Sequence, residues 1–79
     1  GNEPLLILPA SRVSDIKDEK YVVIMKVYKK EEEVVNYLEE KGFDYVCVQR
    51  VGRDGEKVLT NREDIINSKE YMSLIIANR

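Results

Sequence analysis

The sequence predicts an α/β domain of two layers, a mixed five-stranded sheet with helices packed on it. Short apolar runs alternate with segments whose apolar residues recur at helical spacing, which gives the element order β-α-β-α-β-β-α-β. The two β-α-β crossovers favour parallel pairing between the strands they join. A glycine-bounded turn, Gly52-Arg53-Asp54-Gly55, adds an antiparallel hairpin.

Taken in order, LLILP at residues 5–9 lies between Pro4 and Pro9, which end sheet pairing and make it a short strand. Ser11 is placed to cap a short helix through RVSDIKDE, with Val13 and Ile16 on one face. YVVIMKVY, residues 21–28, is continuously apolar but for Lys26, which suits a strand covered on both faces or placed centrally. Side-chain alternation would turn Lys26 away from Met25 and Val27, its stem on apolar surface and its ammonium toward solvent or a partner. In KKEEEVVNYLEEKG, Val34, Val35 and Leu38 form a helical stripe and Glu31 to Glu33 read as a solvated, dipole-favoured first turn. Lys41 falls in the last turn, and Gly42 is the natural left-handed cap. DYVCVQRV (44–51) and EKVLT (56–60) are the hairpin strands. Thr60 and Glu63 have capping-box spacing ahead of a short helix, and YMSLIIANR (71–79) is the last strand.

Composition narrows the function. With 79 residues the chain makes one small domain, and its 43% apolar content is enough for one core. A net charge of −2 gives no electrostatic case for nucleic acid or an anionic membrane. No apolar run is long enough to span a bilayer. The single cysteine, Cys47, cannot form an internal disulfide and reads as core in a reducing, cytoplasmic protein. Without histidine there is no serine triad for Ser11, Ser14, Ser68 or Ser73, and no metal-ligand spacing appears. No catalytic residue set is complete.

Four segments together resemble the C-terminal half of the tetrapyrrole (corrin/porphyrin) methyltransferases, nearest to the precorrin-2 (cobalt-factor II) C20-methyltransferase branch. PLLILPAS resembles the opening of that family's second domain, and YVVIMKVYKKEEEVVNYLEEKG its strand ending in "LMK" with the following helix. YVCVQRVGRDGEKVLTNREDI resembles its hairpin, and YMSLIIANR its terminal strand. The resemblance implies strand order 1-2-5-3-4, with strands 4 and 5 antiparallel to the rest. It also implies that residues 1–79 are the C-terminal domain of a two-domain enzyme whose N-terminal domain carries the glycine-rich motifs. Such an enzyme transfers a methyl group from S-adenosyl-L-methionine to carbon 20 of precorrin-2 or cobalt-factor II on the route to cobalamin.

Carried over by residue, the resemblance makes Met25, Val51, Ser73 and Leu74 the cofactor contacts, and Tyr28 a contact for the macrocycle or the other domain. Met25 would lay its polarizable side chain on adenine, with plain core packing as the alternative. Backbone near Val51 and Ser73 would read the adenine edge and ribose, although Ser73 also fits a satisfied strand hydroxyl. Arg50 and Arg53 are candidates for the macrocycle carboxylates, or simple surface residues. Gln49 stands where the family pattern often has an acid, so no role of that acid transfers. The isolated lobe would be inactive, would bind cofactor weakly, and would expose surface that self-associates into dimers. Two other functions fit the missing catalytic set: a regulatory or ligand-sensing module, and a subunit that dimerises through a sheet edge.

Overall fold

The computed structural model describes residues 4–79. The chain runs β1 (Leu5–Pro9), a 3₁₀ helix (Ala10–Asp15), β2 (Tyr21–Met25), α1 (Glu31–Glu40), β3 (Asp44–Gln49), β4 (Lys57–Leu59), α2 (Arg62–Ile66) and β5 (Ser73–Asn78). The five strands form one sheet in the order β1-β2-β5-β3-β4. β1 and β2 pair in parallel, whereas β2–β5, β5–β3 and β3–β4 pair antiparallel. Strands β4 and β5 therefore run against the other three, in the expected arrangement. The crossover through α1 leaves β2 and β3 parallel but not adjacent, because β5 fills the gap between them.

Local chemistry explains most boundaries. Helix α1 ends in a Schellman motif: Phe43 N–H donates to the Leu38 carbonyl and Gly42 N–H to that of Glu39, at 2.9 and 3.1 Å. Gly42 takes φ +82°, the conformation such a cap requires. At α2 the cap is Asn61 rather than Thr60. Its side-chain oxygen accepts from Glu63 N–H at 2.8 Å and Asp64 N–H at 3.3 Å, so the capping box is not used. Ser11 caps nothing either, since its helix starts directly after Pro9.

The run 21–28 is not one strand. β2 stops at Met25 because Lys26 turns left-handed at φ +56°, which ends the alternation expected of it. Val27 then drops fully into the core while Met25 stays 45% exposed, so the two do not share a face. Likewise β3 ends at Gln49, where Arg50 has φ +54°, and β5 begins only at Ser73.

All helices pack on one face of the sheet. Val22, Ile24, Cys47, Ile75 and Ala77 point to that side and meet Val34, Val35, Leu38 and Ile65 of the helices. Among the described residues no helix covers the opposite face. Register sets Ile7, Val23, Ile76 and Val46 side by side across it, with Leu5, Tyr21, Met25 and Val58 around them. Leu5, Ile7, Val58 and Ile76 remain 43–57% exposed. The apolar character of residues 21–25 thus reflects a bare sheet face, not coverage on both sides.

Candidate functional site

One end of the sheet gathers the chain's unusual features. There β2 and β3 finish and β5 begins, so antiparallel β5 brings its first residues beside the last residues of its neighbours. Register carries Met25 opposite Leu74, one step beyond the Ile24–Ile75 pair. Val51 follows the left-handed Arg50, whose N–H donates to the Met72 carbonyl at 2.6 Å and ties the end of β3 to the start of β5.

Met25, Lys26, Val51, Met72, Ser73 and Leu74 consequently line one shallow depression of about 170 Å³. All four residues that the family resemblance marks for the cofactor fall within it. Met25, Val51 and Met72 offer half-exposed apolar surface, including two thioethers. Ser73 stands differently. Its side chain turns to the helix side of the sheet, its hydroxyl donates to the Glu70 carbonyl at 3.2 Å and its N–H to the Tyr71 carbonyl at 3.1 Å, so neither donor is free for a ligand. The depression is smaller than the roughly 300–1,000 Å³ of a complete small-molecule site, so it fits one wall of a cleft.

A second depression, of about 430 Å³, adjoins it and shares Lys26 and Ser73. Tyr28 and Tyr71 complete its lining, with ring centroids 5.3 Å apart and planes inclined by 58°. Tyr28 does not end a strand; it lies in the turn between β2 and α1, next to Lys29 at φ +64°. Lys29 Nζ sits 5.5 Å from the Tyr28 ring centroid. Arg50 is held within its own loop, donating from Nε to the Asp54 carbonyl at 2.8 Å and lying 3.7 Å from Glu70.

Beneath the rim lies Glu31, which the sequence pattern places in solvent. It is 3% exposed, and its Oε2 has no hydrogen-bond partner among the described residues. Burial pushes its carboxyl above the usual carboxylate range, against the pull of backbone N–H groups at Glu31, Lys29 and Lys30 and the charge of Lys69. Cys47 is fully buried, and its thiol is pushed up to about 11, first by burial and then by Glu31, with the Ser73 side chain pulling the other way. At neutral pH it is a neutral thiol and fills the core rather than acting as a nucleophile. Among the described residues no cluster of histidine, cysteine or acidic side chains could hold a metal ion, and no helix is long and apolar enough to cross a membrane.

Glu31 gives the fold a pH dependence of defined sign. Its pKa is raised above the ordinary 4.5, so between 4.5 and the raised value the folded chain holds a proton that the unfolded chain has lost. Stability therefore falls as pH rises through that window. Glu31→Gln keeps the shape without the charge, so it is expected to remove this slope and stabilise the fold at pH 7. Urea unfolding of both proteins between pH 4.5 and 8 checks it, and an equal slope in the variant would contradict it.

No known protein-family model matches the chain. No curated protein matches it significantly.

Proposed function

We propose that this chain is the cofactor-facing second lobe of an S-adenosyl-L-methionine-dependent methyltransferase that acts on a tetrapyrrole, precorrin-2 or cobalt-factor II, in cobalamin synthesis. The observation that carries the reading is the meeting of Met25, Val51, Ser73 and Leu74 in one depression at the strand ends, from three separate strand termini. The strand order agrees with what that family's second domain requires.

S-Adenosylmethionine supplies a methyl group already activated on a sulfonium. The lobe has therefore only to hold the donor in line with its acceptor and to keep water away. Met25, Met72 and Leu74 are suited to covering the adenine with polarizable, apolar surface. The backbone at Val51 and the carbonyl of Ser73 are suited to its polar edge. Tyr28 stands on the acceptor side of the same rim. A partner lobe, the enzyme's own N-terminal domain, would close the cleft, and the lone lobe is inactive and binds the donor weakly.

Saturation-transfer NMR with S-adenosylmethionine tests this. Weak, millimolar binding is expected, and Met25→Asp should weaken it by roughly tenfold or more, since an unpaired carboxylate opposes an apolar ring contact. Equal transfer to the Met25→Asp variant would remove Met25 from the site, and no transfer to the unaltered chain would remove the reading.

We also propose that the bare sheet face pairs with a second copy of this chain. Five strands about 4.8 Å apart, with about five residues each at roughly 3.3 Å, present a flat area of about 400 Å² in projection. Corrugation and rim side chains raise the accessible area toward the roughly 800 Å² per partner of a stable interface. The face is apolar at its centre, where Ile7, Val23, Ile76 and Val46 lie side by side, and a twofold contact needs only that this one patch complement its own copy. Sheets stack in this way about 10 Å apart.

A further inference from the structure

The turn between β3 and β4 holds the chain's one Asp-Gly pair, Asp54-Gly55. Glu56 N–H donates to the Arg53 carbonyl at 3.1 Å and closes a four-residue turn with this pair at its middle. Gly55 takes φ +81°, the sign that the third residue of a type II turn requires. Both residues are exposed. Among the described residues the Asp54 carboxyl has no hydrogen-bond or ion-pair partner, and the Gly55 N–H donates to no acceptor. An unengaged carboxyl thus stands directly before an unengaged amide nitrogen with no Cβ beside it. The other aspartates, Asp15, Asp18, Asp44 and Asp64, precede Ile16, Glu19, Tyr45 and Ile65, whose side chains crowd that nitrogen.

Arg50 supplies the second feature. Its Nε donates to the Asp54 carbonyl at 2.8 Å and lies 3.3 Å from where a Cβ on Gly55 would stand. That carbonyl and the Gly55 nitrogen belong to one peptide group. A guanidinium on the oxygen stabilises the group when its nitrogen gives up a proton, which is the form that attacks. We propose that Asp54 is a site of spontaneous isomerisation to isoaspartate through a cyclic imide, promoted by Arg50. The Gly55 nitrogen bonds to Asp54 Cγ, and the carboxyl hydroxyl and the amide hydrogen leave as water. Water then adds to either imide carbonyl. Addition at Cγ restores aspartate. Addition at the former main-chain carbonyl, the one Arg50 polarises, breaks its bond to the nitrogen and routes the chain through Cγ. The freed α-carboxylate replaces the neutral oxygen that Arg50 Nε already holds, so the product gains a charge-assisted pair. That pair competes with Glu70, which lies 3.7 Å from Arg50 and accepts the Met72 N–H at 3.1 Å. Isomerisation in this turn therefore reaches the rim at Met72.

The test is incubation of the whole chain for days at neutral pH, followed by mass spectrometry with electron-transfer fragmentation, which separates isoaspartate from aspartate. Isoaspartate should accumulate at Asp54 ahead of Asp15, Asp18, Asp44 and Asp64, with a trace of the dehydrated imide. Asp54→Asn should reach the same product faster, releasing ammonia, and Asp54→Glu should form none. Arg50→Asn keeps a residue that takes left-handed backbone readily. It should slow the reaction by roughly three- to tenfold, as loss of one charge-assisted hydrogen bond does. Amide shifts in the aged chain should appear at Arg50, Glu70 and Met72 and spare Leu5 and Tyr21. Isoaspartate spread evenly over the five aspartates, formed only in urea, or absent from Asp54 once Asp54→Asn has converted would overturn the site. An unchanged rate in Arg50→Asn would overturn the part given to Arg50.

Discussion

Ile75→Ala is expected to lower stability by about 2–5 kcal/mol, the range for truncating a large buried aliphatic side chain. Ile75 is fully buried on the middle strand, paired with Ile24 on one side and Cys47 on the other. Both neighbours are themselves fully buried and fixed by the sheet, so they cannot collapse into the space. A chain of this length has a total stability of roughly 4–12 kcal/mol, so the loss is a large share of the whole. Urea unfolding followed by circular dichroism should show the midpoint falling by about 2 M. A drop of less than about 0.5 M would mean that the core does not centre on β5.

The adjacent residue gives the opposite result. Ile76 alternates onto the bare face, 43% exposed, between Val23 and Val46. Ile76→Asp should leave the circular dichroism spectrum unchanged and cost the fold no more than about 1 kcal/mol, the span of strand preferences. Self-association should weaken by roughly 30-fold or more, because Ile76 sits at the centre of the proposed contact and two carboxylates would face each other near its axis. Sedimentation velocity should show dimers for the unaltered chain and monomers for the variant. A monomer for both at high concentration would contradict pairing through this face.

The features legible in the sequence were those written in local chemistry. The Gly52–Gly55 turn, the Val34-Val35-Leu38 stripe and the Gly42 cap each need only a few adjacent residues, and each stands where the pattern puts it. Strand order is different. No spacing in residues 44–79 says that β5 enters between β2 and β3, and only the likeness to a family suggested it. Strand ends misled because a lysine at φ +56° carries no mark of its backbone, and the apolar residues on both sides of Lys26 read as one run. Glu31 misled for another reason. Dipole logic favours an acid at a helix start, but this start is tucked under the rim against Cys47. Thr60 lost the cap to Asn61 by one residue, a contest that spacing does not resolve.

The rim was legible in part. Met25, Val51, Ser73 and Leu74 line one depression, although the Ser73 hydroxyl is engaged by Glu70. Tyr71, Met72 and Lys29 were missed. Tyr71 and Met72 read as strand, and the turns that swing them and Lys29 onto the rim depend on positive φ angles and on the Arg50–Met72 hydrogen bond. Arg79 shows the same limit. Its guanidinium reaches the carbonyls of Lys17, Glu19 and Lys41 and lies 4.3 Å from the Phe43 ring centre, tying the end of the chain to two distant segments, 17–19 and 41–43.

Amide mapping of the labelled chain with S-adenosylmethionine tests the central claim most directly. At millimolar donor, shifts should concentrate at Met25, Lys26, Val51 and Met72 to Leu74, and leave the far end of the sheet, Leu5, Tyr21 and Asn78, unmoved. Shifts centred on that far end, or no shifts at all, would contradict the assignment of this rim to a methyl donor.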